Sequence, residues 1–460
     1  MNILTADIGS TYTKLTTIDT VAKKILATSA AFTTIETDVM EGFTSAFYKL
    51  EQQLGKFSYE ELHCSSSAAG GLKLVALGLV PELTSKAAKL AATSAGAKVV
   101  KTYAFELSES EQAEIFEINP DLVLLCGGTD GGNKEVILAN ARRLCQIHRP
   151  FTIIAAGNKS ASFELKEIFS ASGKSFAITE NVMPEFNKLN IEPAKQKIKE
   201  LFIDRIIEAK GLNRIQKLSK TDIVPTPLAV LNACELLSKG TKISDGIGDF
   251  LAVDIGGATT DVYSISDGKP TLENVIIKGL PEPVSKRTVE GDLGMRYSLS
   301  SLADELDLEA LSAEIDIESS RISDWVKACC DNPDTLANSN SAEQKIEESL
   351  ARGAVKIAVE RHAGIYQPAY TPFGQVFSLT GKDLSDVPFV IGIGGAIINA
   401  ANPQSILEGA KLQTGDFVYA KPKNPDYLID KKYIFASMGL LSTEHPELAL
   451  DLMKREITTL

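Results

Sequence analysis

Ala6-Asp7-Ile8-Gly9-Ser10-Thr11-Tyr12-Thr13-Lys14 and Val253-Asp254-Ile255-Gly256-Gly257-Ala258-Thr259-Thr260-Asp261 repeat one design at an offset of 247 residues. In each, an apolar run ends in an aspartate, a glycine-led turn follows, and hydroxyl side chains stand on the return. The flanking β-rich runs predict strands at residues 3–8, 12–19 and 24–28, and again at 251–255, 260–266 and 271–277. A repeat at about half the chain length is a duplicated domain, not a short solenoid unit.

The turns themselves carry chemistry. A tight glycine turn points successive backbone N–H groups outward and makes a nest for phosphate oxygens. Gly9 and Ser10, and Gly256, Gly257 and Ala258, would line such nests, with Thr11, Thr13, Thr259 and Thr260 adding hydroxyls. Lys14 would balance phosphate charge, or is simply a strand lysine. Asp7 and Asp254 can hold Mg²⁺ through water. Asp261 stands on the return strand, so Asp254 and Asp261 form a candidate catalytic pair that orients a water toward a γ-phosphate. Either turn alone would be an ordinary hairpin connection. Folding does not require the Asp and Gly-Thr pattern twice, and that repetition favours a ligand.

A third stretch, Phe389-Val390-Ile391-Gly392-Ile393-Gly394-Gly395-Ala396, reads as a buried strand whose glycines allow a flat ligand close to the backbone, with a helix opening at 397–401. Between the repeats, residues 68–184 change texture. Strand-like runs at 99–104, 122–126, 152–156 and 175–178 alternate with helical ones at 83–95, 136–147 and 163–170, which predicts a parallel α/β unit. A long helix follows at 193–210, and residues 296–360 are mainly helical and polar. The glycine-rich 127–132 either holds an anion at a helix start or is a ligand-free turn. Asp292 and Arg296 either pair as i,i+4 charges or brace the second turn.

Composition bounds the partners. At 460 residues the chain exceeds a single core. Its 60 acidic and 47 basic residues give a net charge of −13, which repels nucleic-acid backbones and excludes a general nucleic-acid binder. Amide nests with Mg²⁺ can still accept a polyphosphate. Six scattered cysteines without C-x-x-C, four histidines without zinc-ligand spacing, and glycine-broken apolar runs predict a reduced, cytoplasmic chain with no membrane span.

The three motifs resemble the phosphate 1, phosphate 2 and adenosine motifs of the actin/Hsp70/sugar-kinase ATPase superfamily. That resemblance implies an α/β fold of two duplicated actin-like (ribonuclease H-like) lobes closing on Mg-ATP. It makes Gly9, Ser10, Thr11, Thr13, Lys14, Gly256, Gly257, Ala258, Thr259, Thr260, Gly392, Gly394, Gly395 and Ala396 the nucleotide contacts. The first lobe would be 1–67 with 191–245, the inserted α/β subdomain 68–190, and the second lobe 246–460 with a mainly helical insertion at about 296–360. Residues 223–230 look like the entrance of the crossing helix, with Thr226 where Hsp70 carries a glutamate.

Four further stretches, 64–72, 78–84, 121–132 and 288–296, are not shared with actin or Hsp70. With them the chain is similar to the glutamate mutase (methylaspartate mutase) accessory proteins, the MutL type unrelated to DNA mismatch repair. The resemblance implies an ATP-dependent reactivating chaperone that partners adenosylcobalamin-dependent mutase subunits and expels damaged cobalamin. The inserted module would then carry the nucleotide state to the mutase. A small-molecule phosphotransferase of the sugar- or acyl-kinase kind is the alternative, with Asp254 or Asp261 as base. An actin-like filament former is a third reading.

Overall fold

The meander expected near the N-terminus is present as β1 (Asn2–Ile8), β2 (Tyr12–Asp19) and β3 (Lys24–Phe32), all antiparallel. The computed structural model describes all residues except 10, 35–36, 68–71, 208–211 and 373, with side chains of 203–207 also outside the description. By its contacts the chain forms two units, Met1–Ala233 with Gly279–Pro281 and Ala436–Leu452, and Cys234–Lys278 with Glu282–Phe435 and Met453–Leu460.

In the first unit, the helix Val39–Leu54 starts on Asp38, whose carboxylate accepts the Met40 N–H at 2.8 Å. It buries Val39, Phe43, Ala46 and Leu50. It lies so close to β3 that a Cβ on Gly42 would sit 2.5 Å from the Phe32 carbonyl oxygen. The helix returns the chain to β4 (Glu61–Ser66), which runs parallel to β1.

A second sheet follows, from β5 (Lys73–Gly78), β6 (Lys98–Ala104), β7 (Leu122–Leu125), β8 (Thr152–Ala155) and β9 (Phe176–Ile178). It is fully parallel, in the order β6-β5-β7-β8-β9, with helices as crossovers. Its central strands β5, β7 and β8 are buried almost throughout and read as short, mainly apolar runs, whereas the edge strands β6 and β9 are partly exposed. Leu74, Ala76, Leu122 and Leu124 join the core under the first sheet, while Val75, Leu77, Val123 and Leu125 face a second one. The first sheet is completed by β10 (Val224–Pro225), giving β10-β4-β1-β2-β3.

The second unit contains β11 (Phe250–Ile255), β12 (Thr260–Ile265), β13 (Val275–Lys278), β14 (Ser285–Glu290), β15 (Ile365–Thr371), β16 (Gly374–Thr380), β17 (Phe389–Ile393), β18 (Asp426–Ile429) and β19 (Thr458–Thr459). Its main sheet has the order β14-β12-β11-β17-β18-β19. Strand for strand, β18-β17-β11-β12-β14 repeats β10-β4-β1-β2-β3, with the same parallel and antiparallel pairs. The chain is therefore an α/β protein of two duplicated actin-like lobes.

One strand differs from expectation. The third strand of the second meander is not 271–277 but Ser285–Glu290, which pairs antiparallel with β12. Val275–Lys278 instead runs parallel to β16 in a separate three-stranded sheet, β13-β16-β15. The helical stretch after β14 ends in Ala342–His362, whose Ile346, Leu350, Ala354 and Val355 join the core of the second main sheet. No described helix is long and apolar enough to cross a membrane.

Candidate functional site

In the first unit, Asp7 sits at the penultimate position of β1 and is 4 % exposed. Ser65 on the neighbouring β4 donates its hydroxyl to Asp7 Oδ1 at 3.0 Å, and Thr226 donates to the same oxygen at 2.6 Å. Lys14 lies directly across from Asp7 in the β1–β2 register. The turn closes when the Gly9 N–H donates to the Tyr12 carbonyl at 2.9 Å. A Cβ on Gly9 would lie 2.7 Å from that same oxygen, so the turn itself selects glycine. Thr11 is half-buried and its carbonyl accepts from the Thr33 N–H. Ser10 lies outside the described residues.

Thr226 holds Asp7 through its hydroxyl. Thr226→Val leaves a buried carboxylate oxygen with one hydroxyl instead of two. A hydrogen bond to a charged group contributes about 1.5–3 kcal/mol, so urea unfolding should register a loss of that size. Thr226→Ser should retain most of the stability. A valine variant within about 0.5 kcal/mol of the parent would refute the tie.

The second unit repeats this turn with other charges. Asp254 and Asp261 are direct partners across β11–β12. Two carboxylates facing each other across a strand pair destabilise the sheet unless a cation offsets them. That cation is Arg287 on β14, 3 % exposed, whose Nε and Nη2 lie 2.8 and 2.6 Å from Asp261 Oδ1. Burial works against the Arg287 charge, but Asp261 and the Tyr263 hydroxyl outweigh it and hold the guanidinium above its usual range. Burial pushes the Tyr263 phenol well up, so it stays neutral. Asp261 Oδ2 accepts from the Thr259 hydroxyl at 3.1 Å.

Around this turn the carbonyls are all engaged. Gly256 O accepts from Met295 N–H at 3.1 Å, and Gly257 O accepts from Arg296 and Tyr297 N–H, both at 2.8 Å. Ala258 O accepts from the Ser298 hydroxyl at 2.8 Å. Gly294 permits the approach, since a Cβ there would come within 2.4 Å of the Ala258 backbone. Among the described residues, the N–H groups of Gly257, Ala258 and Thr259 have no protein acceptor, whereas Gly256 N–H closes the turn on Thr259 O at 2.9 Å. Anchored carbonyls with uncommitted amides are what an anion nest requires. A Cβ on Gly257 would meet Arg296 and Tyr297 at 3.6 and 3.7 Å, ordinary contacts, so packing alone does not demand glycine there.

Asp292 and Arg296 do not pair with each other. Asp292 is bound by Arg361 at 2.8 Å, and Arg296 by Glu347 at 2.8 Å. Segment 295–298 is thus the brace behind the turn.

Thr13 and Thr260 are not brought to their aspartates. Register pairs them with Ile8 and Ile255, so they point to the opposite sheet face from Asp7 and Asp254. Both are fully buried, Thr13 bonded to the Thr33 hydroxyl at 2.9 Å and Thr260 donating to Leu293 O at 2.6 Å. Their hydroxyls are structural, a correction that the period-two alternation itself explains.

The third motif lies beside the second turn, because β17 pairs parallel with β11 and sets Ile393 against Asp254. Gly394 has φ +92°, and a Cβ there would fall 2.4 Å from Ile255 O and 2.6 Å from Asp254 Oδ1. Gly392 is closely packed by the Ile397 and Leu407 side chains. Gly395 is open, its nearest neighbour being Asn399 Nδ2 at 3.7 Å, and Ala396 packs on the core. The helix here is short, Gly395–Ile398, rather than 397–401.

In the second sheet, the glycine-rich 127–132 is largely satisfied from within. Asn158 accepts from Gly131 N–H and donates to Gly132 O, and Asn181 donates to Gly128 O. The residues that sequence reasoning missed are Ser65, Arg287 and Ser298. Only Ser65 carried a signal, standing at the end of a strand-like run.

Among solved structures, the chain is similar to the activator of the 2-hydroxyisocaproyl-CoA dehydratase from Clostridium difficile, solved with ADPNP, at 9% identity and TM-score 0.31, covering 100% of this chain and 99% of that one. It is also similar to gluconate kinase from Lactobacillus acidophilus, at 9% identity and TM-score 0.35, covering 100% and 92%. Protein MutL of Clostridium tetanomorphum is 46% identical over 462 residues, covering 98% of each chain. The family model described as MutL protein matches residues 3–457. Matched along nearly its whole length by both, the chain belongs to the MutL protein family.

Proposed function

We propose that this chain is an ATP-dependent reactivating factor for an adenosylcobalamin-dependent glutamate (methylaspartate) mutase, releasing damaged cobalamin for exchange with intact cofactor. The observation that carries the nucleotide half of this reading is the second turn, where braced carbonyls leave the Gly257, Ala258 and Thr259 amides without a protein acceptor beside Asp254. Membership of the MutL family and the four stretches absent from actin and Hsp70 support the mutase half.

The residues fit a magnesium nucleotide. Asp254 would hold the ion in the second unit and Asp7 in the first, and the ion's chemistry there is to neutralise phosphate charge. The free amides would take phosphate oxygens. Asp261, held by Arg287 and Thr259, faces Asp254 across the strand pair and would orient a water through Oδ2. Gly395, open to 3.7 Å, would lie along the adenosine.

The deciding experiment mixes the protein with cobalamin-inactivated glutamate mutase, Mg-ATP and fresh adenosylcobalamin. Mutase activity should return with ATP and not without it. Asp254→Asn should fail in the same assay and weaken Mg-dependent nucleotide affinity, read by calorimetry, at least about tenfold. No recovery, with phosphorylation of a small metabolite instead, would replace this reading by the kinase.

A further inference from the structure

Two of the four histidines, far apart in sequence and without zinc-ligand spacing, meet in the first unit. Glu61 and His63 lie on β4, and Glu444 and His445 lie in the segment Ala436–Leu452, 384 positions from Glu61 to His445. His63 Nε2 is 3.2 Å and His445 Nε2 3.0 Å from the same oxygen, Glu61 Oε2. One ligand atom from each of the four residues falls within 4.8 Å of the others.

We propose that Glu61, His63, Glu444 and His445 form a structural Zn²⁺ site. With Zn–N and Zn–O bonds of about 2.0–2.1 Å, tetrahedral ligand atoms stand about 3.3–3.4 Å apart, close to the two separations seen. Two imidazoles with two carboxylates suit a borderline ion such as zinc rather than Mg²⁺ or Ca²⁺, which take oxygen. His63 is fully buried, and its Nδ1 is 3.3 Å from the Thr221 hydroxyl. A Nδ1–H donated to that oxygen leaves the Nε2 lone pair facing the other ligands. Lys220 bonds Glu61 Oε1 at 2.8 Å and Glu444 Oε2 at 2.6 Å. It is the outer partner that holds both carboxylates in place and leaves Glu61 Oε2 to the imidazoles.

Four protein ligands make a closed site, so its work is to staple. It would fix the C-terminal segment to β4, the strand whose far end carries Ser65 on Asp7. The rival arrangement is a metal-free network in which both imidazoles donate Nε2–H to one carboxylate oxygen. That network takes up no ion.

The test uses the full chain stripped with a chelator, titrated with Zn²⁺ against a chromophoric competitor. One equivalent per chain is expected, together with a raised thermal midpoint and, with Co²⁺, the intense visible bands of a tetrahedral ion. His445→Ala, at a partly exposed position that folding tolerates better than His63, should lower affinity at least about a hundredfold and abolish the thermal shift. His148→Ala should change neither. Sub-stoichiometric uptake by the parent, or uptake unchanged in His445→Ala, overturns the site. Uptake lost with Asp254→Asn and kept with His445→Ala places the ion at the phosphate turn and overturns it equally.

Discussion

Arg287→Met should destabilise the second unit by about 3–5 kcal/mol, the cost of removing one partner from a buried ion pair. The residue is 3 % exposed and Asp261 8 % exposed, so water does not screen the orphaned carboxylate. The loss is aggravated because Asp261 faces Asp254 directly across β11–β12. Without the guanidinium, Asp261 keeps the Thr259 hydroxyl but loses the charge that offsets the Asp254 carboxylate opposite it. Tyr263 loses its partner at the same time. A double-mutant cycle separates these effects. Asp261→Asn in the Arg287→Met background removes the uncompensated charge and should recover a substantial part of the loss, measured by urea unfolding. A single-mutant loss below about 1 kcal/mol, or no recovery in the double variant, would show that Arg287 is not the counter-charge.

That pair also shows what could be read from the sequence and what could not. The turns were legible because their evidence is local: an apolar strand, an aspartate, glycine, hydroxyls, and the same again one duplication later. Asp261 could be placed opposite Asp254 for the same reason. Arg287 could not, because its strand does not look like one. Ser285-Lys286-Arg287-Thr288-Val289-Glu290 is polar, yet it is buried enough to hide Lys286 at 7 % and Arg287 at 3 %. Its charges are matched by Glu282, Asp261 and the His362 carbonyl rather than by water. The run that does look like a strand, Val275-Ile276-Ile277, is exposed at Ile276 and Ile277, 46 % and 60 %, on a small separate sheet. Hydropathy chose the wrong segment because pairing, not apolarity, buried the right one.

Other gaps have different causes. β5, between β6 and β7 in the sheet, is not legible in the sequence, because a short apolar run bounded by glycines is ambiguous by periodicity alone. Thr13 and Thr260 face away from their aspartates by a rule the sequence itself contains. If Asp7 faces one way, its register partner Lys14 does too, and Thr13 must face the other. The Glu61–His445 cluster needed the fold outright, since no spacing links residues brought together by opposite ends of the chain.

Gly394 and Gly395 stand side by side in one motif and should respond in opposite ways to alanine. Gly394 has φ +92° and ψ 154°, a region open almost only to glycine, and leaving it unstrained is impossible for an L side chain. The new methyl would also collide with Ile255 O at 2.4 Å and Asp254 Oδ1 at 2.6 Å. The first of these is backbone and cannot swing away. Strain and overpacking each cost about 1–3 kcal/mol, so Gly394→Ala should lose about 2–6 kcal/mol. It should also displace the Asp254 carboxylate, so nucleotide affinity falls even where enough protein stays folded to measure it. Gly395→Ala meets nothing nearer than Asn399 Nδ2 at 3.7 Å. It should leave unfolding within about 0.5 kcal/mol of the parent, so any loss of nucleotide affinity there reports contact with the ligand alone. Chemical denaturation gives the first comparison and calorimetry with Mg-nucleotide the second. Equal stability of the two variants would mean that β17 does not press on Asp254. A Gly394→Ala chain that is destabilised yet binds nucleotide normally would remove Asp254 from the site.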